Sequence, residues 1–489
     1  MSSAIILTCV IAYSVLLFGV TWWTSRGATN ESYYVGNRSS KWYLVAYGMI
    51  GASLSGVTFI SVPGTVGVEQ FAYLQVVLGY LLGYLVIAYI LLPLYYRLNL
   101  TSIYTYLQQR FGHYAYKTGA FFFILSRTVG AAFRLYIVVN VLQTFVFKDM
   151  HVPFFVTVAV FIALILLYTF QGGVKTIVYT DTLQTTFMLL SVVLSIYFIT
   201  EELHIGAGDI LDRISSNGYG KVFFTDDWKA KMFFPKQFFG GMFIAIAMTG
   251  LDQEMMQKNI SCKTLKEAQK NVITFSSVML VVNILFLVLG ALLYIYAKDT
   301  NLALLTNEKG KIVSDAVFPT IALHYFGTVS GIFFIIGLIS AAYPSADGAL
   351  TALTSVFCLD FLGLKDNQDK TEEEKKKIRY RVHFSFAAIL LVVIVIFKLV
   401  NDDAVITKLF SWATYTYGPL LGLYAYGLFT KRAVKDKLVP WVCVISPVIC
   451  ILLNTYSAVL LNGYVFGFEM IIVNGLFTFL GLGLISKKE

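Results

Sequence analysis

Thirteen apolar stretches constrain this chain more than any other feature. They fall at roughly 4–24, 43–66, 71–97, 118–146, 152–170, 178–200, 236–257, 272–297, 329–359, 379–399, 403–428, 436–460 and 465–485. A hydrocarbon layer about 30 Å thick takes about 20 helical residues to cross. Inside it, backbone polar groups must be satisfied within the segment, so helices are expected. The pattern predicts an all-α polytopic membrane protein with about thirteen transmembrane helices. Composition agrees: 57% of residues are hydrophobic and 13% charged, against about 25% charged in soluble domains.

The basic residues set the expected orientation. With the N-terminus outside, the inner loops hold 24 Lys and Arg and the outer loops nine. Cytoplasmic loops carry the excess of positive charge, so the reading is N-terminus outside and C-terminus cytoplasmic, in the cell membrane. The net charge of +9 is thereby assigned to topology, with no nucleic-acid partner. Residues 4–24 have no basic start and no small-residue cleavage site, and read as a retained first helix. The five cysteines are scattered without metal-ligand spacing. The insert 201–235 reads as a short external cap. The run "DNQDKTEEEKKKIRYR" reads as a solvated cytoplasmic loop.

Charges within spans cost about 2.5–3.5 kcal/mol each on insertion scales. The candidates are Arg127, Arg134, Asp181, Asp252, Asp347 and Lys408. Asp181 and Asp252 lie near predicted helix ends, where interfacial water could serve them, and Lys408 can snorkel. Asp347 lies deep, in "SAAYPSADGALTALTSV". There Pro344 denies the Ser340 carbonyl its helical partner, which predicts a kink. Ala341, Ser345 and Gly348 share a helical face. Such a face offers oxygen ligands that suit a hard cation such as Na⁺. A kinked helix packed through small residues is the competing reading.

Two other spans are interrupted. In 43–66, Gly48, Gly51, Gly56 and Gly64 alternate with Ser53, Ser55, Thr58 and Ser61; 236–257 carries Gly240, Gly241 and Gly250. Matching interruptions in two halves point to a transporter with inverted repeats and a midplane site, here 43–200 and 236–428. No repeated filter loop suggests a channel. The five dispersed histidines do not suggest an enzyme.

Four blocks, in order, resemble the sodium/solute symporter family with its LeuT-type inverted-repeat fold. They are "SYYVGNRSSKWY", "GGVKTIVYTDTLQ", "GLDQEMMQKNISCKTLKEAQK" and "AAYPSADGAL". The resemblance implies a single transmembrane transporter domain. A leading helix and loop (4–42) would precede the repeats, and two further helices (436–485) would follow. It implies Na⁺ as coupling ion, between the carbonyls of Gly51, Leu54 and Ala341 and the hydroxyl of Ser345. The family usually has a second hydroxyl where this chain has Pro344. A further Na⁺ would involve Asp181, with Asp347 and Ser345 able to contribute.

For the solute, "SLSGVT" resembles the sialic-acid branch. Ser53, Ser55 and Thr58 would meet a carboxylate at the broken helix, where amides favour anions. Gln75 and Arg127 would complete the site; Arg134, seven residues on, shares Arg127's face and could serve instead. Asp252 stands where sugar-transporting members use an amide. Tyr415 and Tyr417 are candidate gate aromatics, with ordinary packing the weightier reading. The expected partners are a small-molecule solute, sodium ion and the lipid bilayer, with the protein functional as a monomer. A sodium-coupled sugar or amino-acid symporter and a proton-coupled symporter remain the alternatives.

Overall fold

The computed structural model describes residues 3–24, 33–34, 38–148, 150–169, 173–365, 369–400 and 404–487. Among these, helix dominates, and the β pairing consists of isolated bridges. Ser32, residues 35–37 and Gly172, which belong to two of the motifs above, lie outside the described residues.

Each of the thirteen apolar runs coincides with a helix or an interrupted helix. Eight, among the described residues, are unbroken and apolar enough to cross a membrane, and a bent pair makes a ninth. The chain begins with α1 (Ser3–Thr24) and continues with the bent pair α2 (Trp42–Ser53) and α3 (Gly56–Glu69). Next come α4 (Tyr73–Arg97) and α5 (His113–Phe147), then α6 (Phe154–Thr169) and α7 (Gly173–Glu202). The second interrupted span is α8 (Phe234–Ala245), a wide turn to Gly250, and α9 (Gln253–Asn259). The longer helices that follow are α10 (Leu265–Asp299), α11 (Ser314–His324), α12 (Gly327–Phe361), α13 (Glu372–Val400), α14 (Val405–Phe429), α15 (Val439–Leu460) and α16 (Met470–Leu484). α6 and α16 are too short to meet the full spanning length.

α2 and α3 bend by 57° at Leu54 and Ser55. α8 and α9 part at Leu251 and Asp252, where Asp252 turns extended and caps α9 by accepting the Met255 N–H at 3.2 Å. Small residues let backbones meet elsewhere. A Cβ on Gly79 of α4 would lie 1.9 Å from the Phe238 carbonyl of α8, and one on Gly241 would lie 2.2 Å from the Val76 carbonyl.

α12 is the innermost helix. Every residue from Gly337 to Val356 is buried, with α7, α5 and α2 packed around it. It runs through Pro344 as one helix. Large apolar side chains on outer helices, such as Val160, Val193, Ile396 and Trp441, face outward. An apolar exterior of this kind suits lipid.

Two loop readings change. The run after residue 370 forms the first turns of α13, not a loop. Thr371 and Glu374 close a capping box: Glu374 accepts the Thr371 N–H at 2.8 Å, and Thr371 Oγ1 accepts the Glu374 N–H at 3.3 Å. Lys258, counted above with the inner loops, is a buried residue of α9.

Candidate functional site

The break between α2 and α3 opens onto a central cavity of ≈ 70 Å³, room for roughly five waters. Ser53, Ser55 and Thr58 line one wall, and Tyr73, Tyr80 and Tyr84 of α4 another. Arg127 and Arg134 of α5 and Ile406, Leu409 and Phe410 of α14 complete the lining. Ser55 is the N-cap of α3, and its hydroxyl makes no capping bond. The first amides of α3 therefore add to a polar wall that favours negative charge.

The two arginines differ in their partners. Arg127 pairs with Glu254 through one terminal nitrogen and lies 3.8 Å from Asp252 through the other. Arg134 is 8% exposed and has no ion-pair partner among the described residues. Its Nε also lacks a hydrogen-bond partner. An unpaired guanidinium in such a place is costly unless an anion joins it.

The second group lies where α7 meets α12. Asp181 and Asp347 are fully buried. Tyr168 donates to Asp347 Oδ2 at 2.8 Å, and Lys258 donates to Asp181 Oδ2 at 2.7 Å. The Oδ1 atoms of both carboxylates have no hydrogen-bond partner; nor do the hydroxyls of Ser340, Ser345 and Thr351. Buried oxygens are normally satisfied, and unpartnered oxygens of this kind are ligands a hard cation could use. α12 also packs against α2, whose last carbonyls, Gly51 included, lack helical partners because the helix stops. α2 is fixed to α7 by the Gly51 N–H, which donates to Thr185 Oγ1 at 3.0 Å. Gly48 gives Asp181 its space: a Cβ there would lie 3.1 Å from the Asp181 Cβ.

Several expected residues stand apart from the cavity. Gln75 donates to the carbonyls of Ala72 and Met232 and accepts the Phe224 N–H, so it fastens the 201–235 insert to α4. Asp252 is a buried cap that accepts from Tyr417 at 2.6 Å and lies behind Arg127. Tyr415 bonds Asn454 of α15 at 2.9 Å. The arrangement adds Glu254, Lys258 and the α4 tyrosines, which sequence reasoning did not select. A clue was present: Glu254 and Lys258 stand four apart beyond a broken span, a spacing that puts opposite charges together on a helix.

Two interrupted helical spans bordering one buried cavity fit the architecture of a secondary transporter. Comparison with known proteins agrees. The family model described as "Sodium:solute symporter family" matches residues 33–436. A sodium/sialic acid symporter of Proteus mirabilis is 24% identical over 91% of this chain and 88% of its own. One from Aliivibrio fischeri is 24% identical over 86% of this chain and 81% of its own. A solved structure of a substrate-bound, outward-open Na⁺-coupled sialic acid symporter superposes with a TM-score of 0.83 over 99% of both chains, at 19% identity. The fold is thus the LeuT type. The chain belongs to the sodium:solute symporter family, and is a multi-pass membrane protein that couples a small solute to Na⁺ and is not an enzyme.

Proposed function

We propose that this symporter imports a small organic anion, of the acidic-sugar class to which sialic acid belongs. The observation that carries the proposal is Arg134, buried in the lining of the cavity that Ser53, Ser55 and Thr58 also line, with no ion-pair partner within 4 Å among the described residues. A carboxylate there would meet a planar guanidinium, hydroxyl donors and the amides of α3, which is the donor set a carboxylate prefers. Two relatives that act on sialic acid support the same solute class.

In this reading the carbonyls of Gly51, Leu54 and Ala341 and the Ser345 hydroxyl hold one Na⁺, and Asp181 with Asp347 serves another. Asp252 and Gln75 act behind the site, on Arg127 and on the outer cap. The repeats 43–200 and 236–428 rock about this centre. The protein works as a monomer, with its N-terminus outside and its C-terminus in the cytoplasm.

The test is competition for N-acetylneuraminate uptake in cells expressing the protein. Arg134→Gln is expected to lower acidic-solute affinity by roughly 10-fold or more, in line with loss of a charged hydrogen bond. Arg127→Gln is expected to reduce folded protein, because it takes the guanidinium away from buried Glu254 and Asp252. Neutral hexoses competing as well as the acidic sugar would overturn the anion reading.

A further inference from the structure

Between the two walls runs a buried chain of charges: Arg127, Glu254, Lys258, Asp181. Arg127 on α5 lines the solute cavity and pairs with Glu254. Lys258, one turn further along α9, lies 3.5 Å from the other oxygen of Glu254 and 2.7 Å from Asp181. All four side chains are at most 4% exposed. The Lys258 ammonium thus touches two carboxylates and is bound more closely to the one in the proposed ion wall. Glu254 reaches its position because Gly348, the neighbour of Asp347, has no side chain. A Cβ there would lie 2.3 Å from Glu254 Oε1.

A Na⁺ bound by Asp181 and Asp347 would add a positive charge beside this ammonium. Two cations on one buried carboxylate repel strongly, so one must withdraw. Glu254 is the other carboxylate in contact with Lys258, and a rotation of the lysine stem is enough to favour it. Glu254 is already shared with Arg127, so a stronger hold on Lys258 loosens its hold on Arg127. The Arg127 guanidinium can then lean toward Asp252, 3.8 Å away. Binding at the ion wall is thereby felt at the solute wall.

We propose that Lys258 is a tethered cation that competes with Na⁺ for Asp181, and that Glu254 is the positioning residue that receives its ammonium when the ion binds. The proposal rests on the reading of Asp181 as an ion ligand. Its signature is opposite signs. Removing Lys258 removes the competitor, and removing the Glu254 charge removes the place to which the competitor retreats.

The experiment is saturation binding of ²²Na⁺ to purified full-length protein, with Na⁺-dependent thermal stability as the second readout. Lys258→Met is expected to tighten Na⁺ binding and Glu254→Gln to weaken it, each by roughly 10-fold, within the usual range of coupling between sites. In the double variant the Glu254→Gln effect is expected to vanish. Lys258→Arg and Glu254→Asp are expected to stay within about 3-fold of the parent, since charge and partner remain. If both single variants weaken binding alike, the residues are only structural and the proposal is overturned. If Asp181→Asn leaves ²²Na⁺ binding unchanged, the ion-ligand reading falls and takes the proposal with it. If Asp181→Asn weakens binding but Lys258→Met does not tighten it, the ion-ligand reading stands and the proposal alone fails. Should Glu254→Gln yield no folded protein, the direction of the Lys258→Met shift decides.

Discussion

Gly348 shows how one missing side chain arranges charge. It sits beside Asp347 on the innermost helix, and the Glu254 carboxylate occupies the space a methyl group would take. The atom in the way is the far end of a flexible side chain. Gly348→Ala is therefore expected to fold, with Glu254 pushed aside from Lys258. ²²Na⁺ affinity is expected to fall by roughly 10-fold, as for Glu254→Gln. Unchanged affinity would mean that Glu254 contributes nothing from its present position. The choice between Arg127 and Arg134 belongs to this scale too. They share a face of α5 and are equivalent by spacing. Only the fold brings Glu254 and Asp252, more than a hundred residues away, against one of them. No local signal in the sequence carries that information.

The elements were more legible than the partners. Uninterrupted apolar runs have few ways to satisfy their backbones other than helix, and all thirteen coincide with helical segments. The glycine-rich span at 43–66 did break, at Leu54 and Ser55. α12 continues through Pro344, where tight packing on all sides holds the helix across the missing hydrogen bond. The polar α9 was harder to read. The expected span 236–257 takes in its first five residues but ends one short of Lys258, which the charge count therefore assigns to an inner loop although the helix runs on to Asn259. The start of α13 was misread although its capping box was visible as a Thr followed three residues later by Glu. Element ends also test orientation. Asn217 lies in the insert between α7 and α8, and Glu374 in the first turn of α13. In whole cells a cysteine at 217 is expected to react with a membrane-impermeant thiol reagent, and one at 374 to react only after permeabilisation. The reverse pattern would invert the topology.

For the whole molecule, the geometry joins two demands that one static site could not meet. A solute and Na⁺ must enter together and leave on the other side. In the proposed reading, broken helices supply unpaired amides for an anionic solute and unpaired carbonyls for the ion, so that both would gather beside the same breaks. The outward faces stay apolar, while the charges collect along α5, α7, α9 and α12. Coupling is then a matter of linkage: if Na⁺ raises affinity for the solute, the solute raises affinity for Na⁺ by the same factor. The most direct measurement is accumulation of radiolabelled N-acetylneuraminate in proteoliposomes containing the purified protein. The expected result is uphill accumulation under an inward Na⁺ gradient, lost when K⁺ replaces Na⁺ and resisted by neutral hexose competitors. Accumulation that ignores Na⁺ and follows an imposed pH gradient would contradict the account.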